Sequence, residues 1–142
     1  MKKYIKFVLI LMVLSVLIGK FGVSRETYAR AEEPAISHRQ LVWLYTLENC
    51  ESQGRESLKI MDSNKRYSYG ILMFQMETFL REGKNYGLIS LEMTPTRAED
   101  SRMIYSVDLQ EKIAHKMLLN GGETNWFNCW NTKLHKTKYP KI

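Results

Sequence analysis

Two cysteines, Cys50 and Cys129, stand 79 positions apart behind an N-terminal segment that reads as an export leader, and together they limit the folds open to the chain. The segment begins MKKYIKFVLILMVLSVLIGKFG. Lys2, Lys3 and Lys6 precede an apolar run from Phe7 to Ile18, and Ala29-Arg30-Ala31 offers the small residues at which signal peptidases cut. Residues 1–31 are expected to be removed on export, giving a secreted, extracytoplasmic protein of the cell envelope. The alternative is a retained anchor associated with the membrane, since continuing the run through Val23 approaches the ~20 residues that a bilayer span needs. In an oxidising compartment two cysteines are expected to pair, so a Cys50–Cys129 disulfide is predicted. Closing so long a loop contributes about 4 kcal/mol in the chain-entropy account. The residues that follow make one domain, large enough for a single core and small enough to benefit from a cross-link.

The formal net charge of +6 and the pI of about 9.3 suggest nucleic acid only until the charges are located. Lys2, Lys3, Lys6, Lys20, Arg25 and Arg30 against Glu26 place +5 in the first 31 residues and leave +1 for the domain, so no nucleic-acid partner is expected. The basic C-terminal tail, residues 132–142 with Lys133, Lys136, Lys138 and Lys141, reads as a solvated, frayed end. The alternative is loose attraction to anionic wall polymers or headgroups. His38, His115 and His135 are scattered and no C-x-x-C occurs, so neither a metal nor another cofactor is expected.

The domain pattern is helical around one irregular section. Ser37-His38-Arg39-Gln40 fits a capping box, and Leu41, Leu44, Tyr45 and Leu47 follow on one helical face, predicting a helix to about Cys50. Glu51 extends that face, and partial desolvation there raises a carboxyl pKa. Residues 53–67 are polar, with Asp62-Ser63-Asn64 as the expected tight turn. "SYGILMFQMETFL" predicts a short extended stretch passing into a helix that stops before Gly83. Thr94-Pro95 should open a short helix to about Ile104, and Ser106 another whose stripe of Leu109, Ile113, Met117 and Leu118 ends at Gly121-Gly122.

Three segments carry a resemblance. "NCESQG" resembles the C-E-S-G-G opening of the catalytic domain of resuscitation-promoting factors. "YGILMFQMETF" is similar to their Y-G-G-L-Q-F-x-x-x-T-W through Tyr69, Gly70, Leu72, Phe74 and Thr78. "QEKIAHKMLLNGGETNWFNC" resembles Q-x-x-x-A-x-x-x-L-x-x-x-G-x-x-x-W-x-x-C through Gln110, Ala114, Leu118, Gly122, Trp126 and Cys129. Glu51-Ser52 and the later Y-G-I-L also resemble chicken-type lysozymes.

The resemblance implies a mainly α, α+β lysozyme-like fold over residues 36–131, with a short-strand middle section and one disulfide. It implies a monomer acting on peptidoglycan glycan strands, at the β-1,4 bond from N-acetylmuramic acid to N-acetylglucosamine. Glu51 would be the catalytic acid, and Ser52, Tyr69, Met73 and Gln75 would contact substrate. Two positions depart from the pattern. Ser68 stands where chicken-type lysozymes carry their second carboxylate, which disfavours a two-carboxylate retaining route and favours a lytic transglycosylase, whose single glutamate closes a 1,6-anhydro ring. Met73 stands where the family holds a substrate-binding glutamine; if residues 71–75 are extended, Gln75 faces the same side and takes over in part. A lysozyme-type hydrolase and a glycan-binding module without catalysis remain as alternatives. Glu48 is the rival acid; Asp62 is read as a turn residue against a substrate or water positioner, and Trp126, Phe127 and Trp130 as core packing against sugar platforms.

Overall fold

The capping box forms as read. Ser37 Oγ accepts from Gln40 N, Gln40 Oε1 accepts from Ser37 N at 2.8 Å, and helix α1 runs His38–Ser52. The structure is a computed structural model, and it describes residues 35–141; the expected leader, residues 1–31, lies outside the described residues. After α1 come strands β1 (Lys59–Met61), β2 (Tyr67–Tyr69) and β3 (Phe74–Gln75). Helices α2 (Met76–Asn85), α3 (Pro95–Asp100), α4 (Val107–Leu119) and α5 (Phe127–Thr132) follow, with 3-10 turns at Met103–Tyr105 and Glu123–Trp126. This is a small, mainly helical domain with a three-stranded sheet and one disulfide. Among the described residues no helix is long and apolar enough to cross a membrane.

The sheet is antiparallel in the order β1-β2-β3. Its register aligns Ile60 with Ser68 and Ser68 with Gln75, and these three side chains line a single cleft. In the alternating pleat, Lys59 and Tyr69 leave from the other side, while Phe74, on the two-residue β3, is buried in the core and also borders the cleft. The core lies between the sheet and the helices, with Leu44, Leu47, Leu72, Phe74, Phe79, Ile104, Ile113 and Leu118 all buried.

Four expectations are corrected. On α1 the buried side is Gln40, Trp43, Leu44, Leu47 and Glu48, while Leu41 and Tyr45 are exposed. Gln40 turns inward because its amide donates to Pro140 O at 2.8 Å. Helix α2 continues through Gly83 to Asn85, and Gly83 packs tightly against the core within it: a Cβ there would meet Ile89 Cδ1 at 2.4 Å. Helix α3 ends at Asp100, and the chain reaches Ile104 through a separate 3-10 turn. The C-terminal segment is docked. Tyr139 is 2% exposed, packs edge-on against Trp43 at 5.3 Å and shares a 2.6 Å hydrogen bond with His115 Nδ1, while its N–H donates to Glu123 Oε1 at 3.1 Å. The tail lysines are exposed, as expected, but the backbone that carries them belongs to the fold.

Candidate active site

Helix α1 delivers Glu51 on its last turn. Gln53 and Gly54 both take positive φ, 59° and 75°, and end the helix there. Ser52 is buried, its Oγ donates to Glu48 O at 3.1 Å, and its carbonyl accepts from Arg55 Nε at 2.9 Å. These bonds close the turn, and the Cys50–Cys129 disulfide, with a Cα–Cα distance of 5.8 Å, ties it to α5. The expected pairing is present. Ser52, expected as a substrate contact, faces away from the cleft and acts through the helix end that it seals.

The cleft has a volume of about 640 Å³, within the usual range for ligand sites. Glu51 lines it with Asp62, Ser63 and Asn64 from the β1–β2 turn, Ile60, Ser68 and Gln75 from the sheet floor, and Met73 and Thr78 beyond. Met117, Asn125, Trp126 and Asn128 also line it. Of the expected site residues, Glu51, Met73 and Gln75 are brought together and Tyr69 is not. Tyr69 is buried on the opposite side of β2, edge-on to Tyr105 at 5.8 Å, with its hydroxyl 3.4 Å from Glu99 Oε2. The pleat explains this: Ser68 takes the cleft side, so its neighbour cannot.

Residues 71–75 are not extended. Met73 N donates to Gly70 O at 3.3 Å, Gly70 and Met73 have positive φ of 73° and 51°, and only Phe74–Gln75 is strand. Gln110, buried on α4, clamps this turn: its Oε1 accepts from Leu72 N at 2.9 Å and its Nε2 donates to Tyr69 O at 3.0 Å. A Cβ on residue 70 would fall 2.0 Å from Gln110 Nε2, so glycine is required twice over, by the φ and by the clamp. Trp126 is buried against Phe74 at 5.5 Å and donates from Nε1 to Leu72 O at 2.8 Å. It is core packing whose edge reaches the cleft.

Two carboxyls on α1 are pushed upward, for different reasons. Glu51 is raised from 4.5 to about 7, first by burial and then by the negative charge of Asp62 across the cleft. Glu48 is raised to about 8 by burial and by a hydrogen bond and repulsion with Glu111. Glu48 has the higher proton affinity, but only Glu51 lines the cleft. Glu48 is 7% exposed, lies outside the cleft lining, and has an Oε1 without a hydrogen-bond partner among the described residues.

Sequence reasoning left Asn125 and Asn128 unnoticed. Their three-residue spacing in "TNWFNC", beside the second cysteine, was the available signal. No protein family, curated protein or solved structure gives a match to this chain.

Proposed function

We propose that the chain is an exported peptidoglycan-cleaving glycosidase, a lytic transglycosylase in its leading form, with Glu51 as the acid at the bond from N-acetylmuramic acid to N-acetylglucosamine. The observation that carries this reading is a half-buried carboxyl, Glu51, whose pKa is raised to about 7, on the wall of a polar cleft and fixed there by a disulfide one residue away. A general acid works best when its pKa lies close to the working pH. Glu51 gives its proton to the glycosidic oxygen as the bond from C1 breaks, and the leaving sugar departs as an alcohol. The resulting carboxylate then takes the proton of the attacking hydroxyl. When that hydroxyl is the muramyl unit's own 6-OH, the product is a 1,6-anhydro end.

A second reading, hydrolysis by water, is favoured by the presence of Asp62 in the same cleft. A third, glycan binding without cleavage, draws on Met73, which lines the cleft without the hydrogen-bonding capacity of glutamine. Mass spectrometry of digested sacculi separates them. Anhydro ends support the leading form, new reducing ends support the hydrolase, and intact strands leave the binder. In either enzymatic case Glu51→Gln should lower release by about 10² to 10⁴.

A further inference from the structure

A glycosidic bond that opens beside one proton donor leaves positive charge on the sugar ring, and Asp62 is the other carboxyl among the residues lining the cleft. Asp62 begins the turn from β1 to β2. Its N–H donates to Arg66 O at 2.8 Å and its carbonyl accepts from Lys65 N at 2.9 Å. A turn aspartate ordinarily spends its side chain on the turn's own backbone. Here Asn64 does that work, its Oδ1 accepting from Arg66 N at 3.0 Å. The Asp62 side chain instead crosses to the sheet floor, where Oδ2 accepts from Ser68 Oγ and, at 3.0 Å, from Gln75 Nε2. Oδ1 receives no side-chain hydrogen bond among the described residues. The buried hydroxyl of Ser68 is thereby committed to a carboxylate six residues earlier.

Building on the glycosidase reading, we propose that Asp62 is a second catalytic carboxylate, held by Ser68 and Gln75, whose negative charge faces the sugar ring as the bond to the leaving group opens. The role holds whichever hydroxyl attacks, because charge builds at the same ring atoms in both routes. Ser68 and Gln75 are positioning residues that act through Asp62. A fixed charge of this kind acts where charge develops in the transition state and needs no reorganisation at the moment of reaction. The same charge supports the proton on Glu51, which links the two groups electrostatically.

The test is muropeptide release from purified sacculi by the parent, Asp62→Asn, Ser68→Ala, Gln75→Ala and Glu51→Gln, followed from pH 5 to 8.5 beside thermal melts. Asp62→Asn keeps the shape and one acceptor oxygen, so it should melt near the parent while kcat falls by about 10² to 10³ with a smaller change in KM. The basic limb of its pH profile should move to lower pH, because Glu51 then loses its proton more readily. Removing the charge moves that limb whatever else Asp62 does, so the fall in kcat measured at each protein's own pH optimum is what separates a catalytic carboxylate from one that only supports the proton on Glu51. Ser68→Ala keeps the charge and loses one tether, and should cost about tenfold with the limb unmoved. If Asp62→Asn folds and, at its own pH optimum, turns over within about threefold of the parent, the proposal is overturned, wherever its limb lies. If it does not fold, Ser68→Ala and Gln75→Ala decide: reduced turnover in stable proteins supports the proposal, and unchanged turnover in both overturns it. An inactive parent overturns the glycosidase reading and this proposal together, and an active Glu51→Gln overturns the choice of acid and this proposal with it.

Discussion

Glu48→Gln should stabilise the protein at alkaline pH and leave it almost unchanged at acidic pH. Glu48 is buried on α1 against Glu111, and burial is the larger cause of its raised pKa, with the Glu111 carboxyl second. Its folded value, about 8, lies above the unfolded 4.5, so the native state holds a proton that the unfolded chain gives up. The sign follows from linkage: the contribution is fully present below pH 4.5 and is lost as pH rises toward 8. At about 1.4 kcal/mol for each tenfold change in proton affinity, the ceiling is about 5 kcal/mol. Between pH 5 and 8 the loss is about 2–4 kcal/mol once Glu111 shares the proton, or roughly 8–16 °C in Tm for a domain of this size. Glutamine keeps the shape, cannot ionise, and donates to Glu111. The assay is thermal unfolding of parent and variant at pH 5, 6, 7 and 8, with the difference in Tm as the readout, so that titrations common to both proteins cancel. A difference that stays constant across the series would refute the reasoning, because it would mean that Glu48 releases its proton equally in both states. Cleavage by Glu48→Gln should match that of the parent, since Glu48 does not line the cleft.

Replacing both cysteines by alanine should lower stability by about 4 kcal/mol, from the long loop that the bridge closes, and should lower activity as well by freeing the end of α1; denaturant unfolding and muropeptide release check the two effects. Gly70→Ala should cost about 2–4 kcal/mol, combining an unfavourable φ with displacement of Gln110, and a denaturant melt reads it. Tyr139→Ala should cost about 3–5 kcal/mol as a buried aromatic truncation, whereas a frayed tail would give no change in Tm.

The two longest helices were legible because their starts are written in side chains. Ser37 with Gln40, and Ser106 accepting from Leu109 N at 3.3 Å, are local signals that no distant contact has to supply. The orientation of α1 was less legible. Leu41 and Tyr45 fit an apolar stripe as well as Trp43 does, and Gln40 belongs inside only because Pro140, a hundred residues on, supplies its acceptor. The docked tail was hidden for the same reason. Its composition is that of a solvated strand, and only the partners Trp43, His115 and Glu123 make Tyr139 a core residue. At the candidate site, Glu51, Met73 and Gln75 were legible by position, while the failure of Tyr69 to reach the cleft follows from a pleat parity that a two-residue strand and a glycine turn obscure.

The residues that carried the resemblance divide by what they do here. Glu51 faces the cleft. Tyr69, Gly70, Gln110, Trp126, Cys50 and Cys129 hold its walls in place. Gln110 can reach Tyr69 O and Leu72 N only because residue 70 has no Cβ, and Trp126 Nε1 bonds the carbonyl of Leu72, on the peptide next to the one Gln110 secures. Three residues after Trp126, Cys129 fixes α5 to the end of α1. From Gly70 through Gln110, the two Leu72 peptides and Trp126, then along the chain to the Cys129–Cys50 bridge, these groups lead to the helix end that carries Glu51. A change at any one of these positions is therefore expected to reach Glu51 through a wall of the cleft, and the loss of one motif should weaken what the other two hold.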